Sequence, residues 1–283
     1  MRDCDIIETF RYQAKHTGVY ARYLELLGID PLRVKSPSDI PYLPIRFFKT
    51  HNIYNGQKPA MEVFTSSATT GMIPSRHPVD SLERYEKNVL EIFRHFYGDP
   101  SQYTILGLLP SYLERKGSSL VYMMKFLMEH GNTSEDGFYL YNRQALYERL
   151  IALAAKNMPV WLLGVSFALL DFAREFTVHH PGLTIVETGG MKGRGTDLTR
   201  GELHRQLKQG FPQSPVHSEY GMAELFSQAY SCTEDDFFSC PPVMQVKIRN
   251  LQDPFMEEPD GHRGGINIID LANRHSCSFI ETE

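Results

Sequence analysis

The sequence predicts an α/β fold, and three observations carry that prediction. Short apolar runs at 103–110, 160–164 and 183–188 have the length of buried strands. Amphipathic segments of helical period stand between them, and after residue 240 the pattern turns to short alternating stretches. Strands that alternate with helices need crossover connections, which implies a largely parallel sheet. The expected organisation is an α/β core over residues 1–240, with a helical N-terminal region. A β-rich subdomain of the same large domain follows at 241–283.

The elements follow in order. Ile6, Ile7 and Phe10, then Tyr20, Tyr23, Leu24 and Leu27, recur at helical spacing. "SPSDIPYLPIRFF", with Pro37, Pro41 and Pro44, reads as an irregular extended segment. Asp80 or Ser81 can cap a helix whose apolar face is Leu82, Tyr85, Val89, Phe93 and Phe96. "YTILGLLP" reads as a strand, 118–131 as a helix closed by Gly131, and 142–157 as a second helix. "VWLLG" is a buried strand, 166–180 a helix, "LTIVET" a strand, and 199–210 a helix with a C-terminal Gly210. "VMQVKIRN", "GINIID" and "HSCSFIETE" are the expected strands of the last part.

Composition narrows the function classes. The chain has 283 residues, enough for a substantial core, and 29 Lys and Arg against 34 Asp and Glu give a net charge of -5. That balance argues against a dedicated nucleic-acid binder, which normally carries a basic stripe. "MRDCDIIETF" lacks the basic start and apolar run of a signal peptide. The longest apolar stretch, 158–173, is broken by Pro159, Gly164 and Ser166, so no membrane span is expected and the reading is a soluble, cytoplasmic protein. Cys4, Cys232, Cys240 and Cys277 show no zinc spacing and read as thiols.

Ligands of parallel sheets bind at the carboxyl ends of strands, so the loops there carry the chemistry. In "TSSATTG", Thr65–Gly71, hydroxyls and free backbone N–H groups can surround a polyphosphate; the alternative is a solvated turn. It is not a Walker loop, since the lysine is missing. "ETGGMKGRG", Glu187–Gly195, exposes backbone that could lie against a flat ring or an acyl chain, or serve as a connector. In "YGMAE", Tyr220 could stack on a purine, Gly221 makes room, and Glu224 could hold a magnesium ion that bridges phosphates. The alternative there is a helix start with Glu224 in its first turns. No GxSxG elbow occurs, which counts against a hydrolase triad.

In this order the three loops resemble the acyl-adenylate-forming (ANL) superfamily, with its SSGTTG-type phosphate loop and YG[TS]E motif. "IPYLPIRFFKT", "LLPSYLERKGSSLVYMMK" and "SEYGMAELFSQAY" look most like the acyl-protein synthetase (LuxE-like) branch, with phenylacetate-CoA ligases next. The resemblance implies that Ser66, Ser67, Thr69, Thr70 and Gly71 cradle the ATP phosphates and that Gly189 and Gly190 flank adenine and the acyl site. It implies that Tyr220 and Gly221 receive adenine and that Glu224 coordinates Mg2+. Thr69, Thr70 and Glu224 would then act on the reacting phosphates. The implied reaction joins a carboxylic acid, a fatty acid in the nearest branch, to AMP. The acyl group then passes to an acceptor protein, a carrier protein or CoA.

Two residues depart from the pattern: Ala68 replaces a loop glycine, and Ala223 replaces a Thr or Ser. The sequence ends at "SFIETE", before the ribose-binding aspartate and the lysine-bearing lid of those enzymes. The expected fold is therefore the large N-terminal domain of an adenylate-forming enzyme with the C-terminal lid absent. The resemblance also leaves room for a homodimer. A binding module that kept the fold and lost turnover, and an aryl- or acyl-CoA ligase, are the alternatives.

Overall fold

The computed structural model describes residues 1–67, 73–110, 116–132, 137–189, 198–233, 237–259 and 261–282. Two helices open the chain, α1 (Asp3–His16) and α2 (Gly18–Leu26), followed by β1 (Leu43–Pro44) and the short α3 (Phe47–Thr50). β2 (Glu62–Thr65) and β3 (Arg76–Val79) then pair antiparallel as a hairpin. The α/β part follows: α4 (Leu82–Tyr97), β4 (Thr104–Leu108), α5 (Ser119–Glu129), β5 (Phe138–Tyr139) and α6 (Arg143–Ala155). It continues through β6 (Val160–Val165), α7 (Ser166–Glu175), β7 (Leu183–Thr188), α8 (Arg200–Gly210), β8 (Val216–Tyr220) and β9 (Ala229–Ser231). β10 (Met244–Arg249), β11 (Gly265–Asp270) and β12 (Phe279–Glu281) complete it.

Six strands form the main sheet in the order β5-β4-β6-β7-β8-β9, parallel except for β9. Strand alternation shows that helices cover both faces. Trp161 of β6 packs edge-on against Phe93 and Tyr97 of α4, at centroid distances of 5.3 and 5.6 Å. Gly164, of opposite parity, faces Leu169 of α7, where an added Cβ would come within 2.7 Å. α8 packs on α7 and on β8. The α/β class read from the sequence is the one observed.

Local chemistry sets most helix ends. Ser81, Ser118 and Asn142 accept from the backbone N–H three residues on, and Thr199 with Glu202 forms a full capping box. The helix expected over 166–180 stops at Glu175, because Thr177 and Val178 are β-branched and Pro181 follows. Gly131 and Gly210 do not close their helices through a left-handed turn. Gly210 is needed for close packing: a Cβ there would lie 2.6 Å from the Ala173 Cβ.

The remaining strands make a four-stranded sheet, β1-β12-β11-β10. Its β1 comes from the segment expected to be irregular, and it pairs parallel with β12. A second hydrophobic cluster joins Ile6, Phe10, Tyr20, Leu24 and Phe48 to Ile268, Phe279 and Ile280, so it draws on both sides of residue 240. Buried Gln13 fixes this docking. Its amide nitrogen donates to the carbonyls of Asn273 (3.0 Å) and Arg274 (2.9 Å), and its oxygen accepts from the Ser278 N–H at 2.8 Å. No helix among the described residues is long and apolar enough to cross a membrane.

Candidate active site

A cleft of ≈ 290 Å³ opens at the carboxyl ends of β7 and β8, on the sheet face covered by α4 and α5. One end is the β2–β3 hairpin. The Ser75 N–H donates to Ser66 Oγ at 2.9 Å, and the Ser66 N–H donates to the Ser75 carbonyl at 3.2 Å, closing the base of the hydroxyl loop. Alongside, the Thr65 N–H donates to the Gly117 carbonyl at 2.8 Å. Gly117 sits at φ 77, and a Cβ would press within 2.8 Å of the Val63 carbonyl, so only glycine fits. Ser118 then caps α5, whose first turn, with Ser119 and Leu120, forms one wall.

The opposite end is the segment after β8. It is not a helix start: Glu224 lies in a turn, and Leu225 N–H donates back to the Met222 carbonyl at 3.2 Å. Buried side chains hold this turn from three sides. Asn273 donates from Nδ2 to the Glu224 carbonyl at 2.8 Å and to the Cys277 carbonyl at 2.9 Å. His77 of β3 places Nδ1 2.8 Å from the Ala223 carbonyl and Nε2 2.9 Å from Asn273 Oδ1. Asp270 accepts from the N–H groups of Phe226 (2.8 Å) and Ser227 (3.0 Å), while Asn88 of α4 donates to the Phe226 carbonyl at 2.9 Å.

The cleft brings together Ser66, Ser67, Gly189, Gly221 and Glu224, which come from three distant stretches of sequence. Gly189 takes φ 76 directly after β7, a left-handed conformation that suits glycine. Tyr220 is placed differently. In β8, His217 stacks on Tyr97 of α4, while Ser218 Oγ meets His204 of α8 at 3.0 Å. Tyr220 shares Ser218's parity and therefore faces the α8 side, where its ring meets Phe238 edge-on at 6.0 Å. Thr69, Thr70, Gly71 and Gly190, with Ala68, lie outside the described residues.

Electrostatics separate the carboxylates. Burial raises the pKa of Glu224, partly offset by a hydrogen bond from Ser75 and by the charge of Lys49. Burial pushes Glu219 up to about 7; the Thr188 hydroxyl, which donates to its Oε2, opposes this, and the nearby Glu187 charge adds to it. Burial acts on Glu187 as well, but nearby His204, whose Nε2 lies 3.8 Å from Oε1, and the hydroxyls of Ser166, which donates at 2.7 Å, and Ser218 outweigh it and hold that carboxyl low. Sequence reading passed over Glu219, His77, Asp270 and Asn273. For Glu219 a signal existed: with Tyr220 on one face of a strand, its neighbour must face the other.

No described lining residue is a lysine, arginine or histidine, while six Ser and Thr residues and two glutamates border the cleft. Among the described residues, no cluster of three or more His, Cys, Asp or Glu could hold a metal on its own. The Glu224 carboxylate, with hydroxyls across the cleft, could hold an Mg2+ brought in with phosphates, because magnesium keeps most of its coordination for water and phosphate oxygens.

No family model matches the chain, and no curated protein does. Solved structures do match. A 2-hydroxyisobutyryl-CoA ligase in complex with 2-HIB-AMP and CoA superimposes at TM-score 0.71 and 16% identity, over 99% of this chain and 62% of that one. A long-chain-fatty-acid-CoA ligase from Archaeoglobus fulgidus gives 0.55 and 16%, over 80% and 44%. An ATP-bound RpMatB-BxBclM chimera gives 0.55 and 15%, over 77% and 40%. The chain thus spans between 40% and 62% of these proteins and has the fold of the large N-terminal domain of adenylate-forming ligases.

Proposed function

We propose that this chain is the ATP- and acid-binding part of an adenylate-forming ligase. The acid's carboxylate oxygen attacks the α-phosphorus of ATP, the α–β phosphoanhydride bond breaks, and pyrophosphate leaves with the electron pair. A thiol or a protein side chain then attacks the acyl carbon and releases AMP. The carrying observation is the convergence of Ser66 and Ser67, Gly189, and Gly221 with Glu224 on one cleft. The fold shared with ligases that hold ATP or acyl-AMP supports the same reading.

In this reading Ser66 and Ser67, with Thr69, Thr70 and Gly71, surround the β- and γ-phosphates. Gly189 and Gly190 lie against adenine and the acyl group. Adenine stacks on Tyr220 on the α8 side of β8, and the acid lies on the side of Glu219, with Gly221 between them. Glu224 would hold the magnesium ion, whose charge offsets that of the phosphates. The first step asks mainly for positioning, which the buried supports of the Glu224 turn supply.

For the acceptor we propose a protein side chain, on the strength of the sequence resemblance to acyl-protein synthetases; CoA and a carrier protein are the alternatives. The expected location is the cytoplasm, where ATP is plentiful. One observation favours a second reading, a binding module without turnover: Ala223 borders the cleft where the family pattern has a hydroxyl-bearing residue. Pyrophosphate exchange into ATP, over a panel of carboxylic acids, separates the two. The ligase reading expects acid-dependent exchange, lost in Glu224→Ala. Ligand binding without exchange supports the module, and exchange untouched in Glu224→Ala removes the magnesium role.

A further inference from the structure

We infer that Glu219 sets the substrate class: the cleft takes a carboxylic acid whose chain carries a hydrogen-bond donor, a hydroxyl or an amine, rather than a plain alkyl chain. The inference rests on the ligase reading only in that the cleft receives an acid.

Four observations carry it. Glu219 is 8% exposed and borders the cleft from the sheet side, between Thr188 and Gly221. Its Oε2 accepts from the Thr188 hydroxyl, and no other hydrogen bond to its carboxyl occurs among the described residues. Its Oε1 lies over Gly221, where any Cβ would collide with it, so the strand end is kept bare beside this oxygen. No lysine, arginine or histidine lines the cleft among the described residues, so none of these residues sets a cation beside the carboxylate.

A carboxyl half satisfied by one hydroxyl is costly beside apolar walls such as Leu120 and Met123. A straight alkyl chain would seal it off from water without a partner for Oε1. A ligand hydroxyl or ammonium would supply the missing donor. The burial that lifts Glu219 to about 7 is the condition under which a ligand donor draws it back to the ionised form. The rival donor is the amino group of adenine, which the test separates.

The test uses matched acids of equal length, one alkyl, one hydroxylated and one aminated, with wild type, Glu219→Gln and Glu219→Leu. Pyrophosphate exchange and calorimetric binding are both read. The expectation is kcat/KM or affinity about 10- to 100-fold higher for a donor-bearing acid than for its alkyl twin, the loss expected for a buried charged hydrogen bond. Glu219→Leu should erase or invert that preference, with KM for ATP unchanged. Glu219→Gln keeps the shape and a partner for Thr188, and it should fall between the two, which guards against a misfolded leucine variant. Equal exchange rates for the alkyl, hydroxylated and aminated acids in all three proteins overturn the inference and leave the ligase reading intact. A change confined to KM for ATP also overturns it. Donor-selective binding without exchange supports it and counts against the ligase reading. No binding of any acid overturns both.

Discussion

Replacing Asn273 with alanine removes one buried side chain that ties β11–β12 to the Glu224 turn. Asn273 is 1% exposed, and both hydrogens of its amide are spent on main-chain carbonyls, Glu224 at 2.8 Å and Cys277 at 2.9 Å. Each buried carbonyl left without its donor costs about 1–3 kcal/mol, so Asn273→Ala is expected to lose about 2–6 kcal/mol. Asn273→Asp keeps the size and fares worse at neutral pH, because a carboxylate would then face two carbonyl oxygens. Equilibrium denaturation measures both changes. The site adds a second readout, since the freed turn carries Glu224. Compared at a temperature where both remain folded, Asn273→Ala should lose more nucleotide affinity than a variant equally destabilised elsewhere. A loss below about 1 kcal/mol, or an aspartate variant as stable as wild type, would refute the reasoning.

Further outcomes follow from the same geometry. Gly210→Ala drives a Cβ to 2.6 Å from the Ala173 Cβ, and overpacking α7 against α8 is expected to cost about 1–3 kcal/mol while nucleotide affinity holds, which makes it the reference for Asn273→Ala. Glu219 keeps its proton in the folded state up to about pH 7, whereas the unfolded chain releases it near 4.5. The folded state binds more protons across that window, so this group's contribution to stability falls as pH rises from 4.5 to 7. Glu219→Gln removes that dependence, and its stability relative to wild type should improve by up to about 3 kcal/mol across the window. Denaturation midpoints at both ends of the range check the sign.

What the sequence made legible is what local pattern encodes. The strands β4, β6 and β7 announce themselves as short apolar runs, and the caps Ser81 and Thr199 sit where their helices begin. The hydroxyl loop, Gly189 and the segment from Gly221 to Glu224 were readable as motifs, and their order suggested that they meet. The rest depends on partners remote in sequence. Gln13 finds Ser278 across 265 positions, and His77 finds Asn273 across 196, so nothing near either residue foretells the contact. β3 is four residues of mixed character with a proline at 78, too short to show a strand pattern, yet a two-stranded hairpin tolerates proline at its edge. Glu219 and Tyr220 are neighbours in the motif, and strand alternation turns the carboxylate, and not the ring, toward the cleft.

In the proposed reading, three stretches far apart in sequence form one ATP-binding cleft. Hydrogen exchange with and without magnesium and ATP tests it most directly. Peptides spanning Ser66–Ser67, Thr188–Gly189 and Gly221–Glu224 should gain protection together, and Glu224→Gln should weaken all three at once. Protection confined to one stretch, or appearing only elsewhere in the chain, would contradict it.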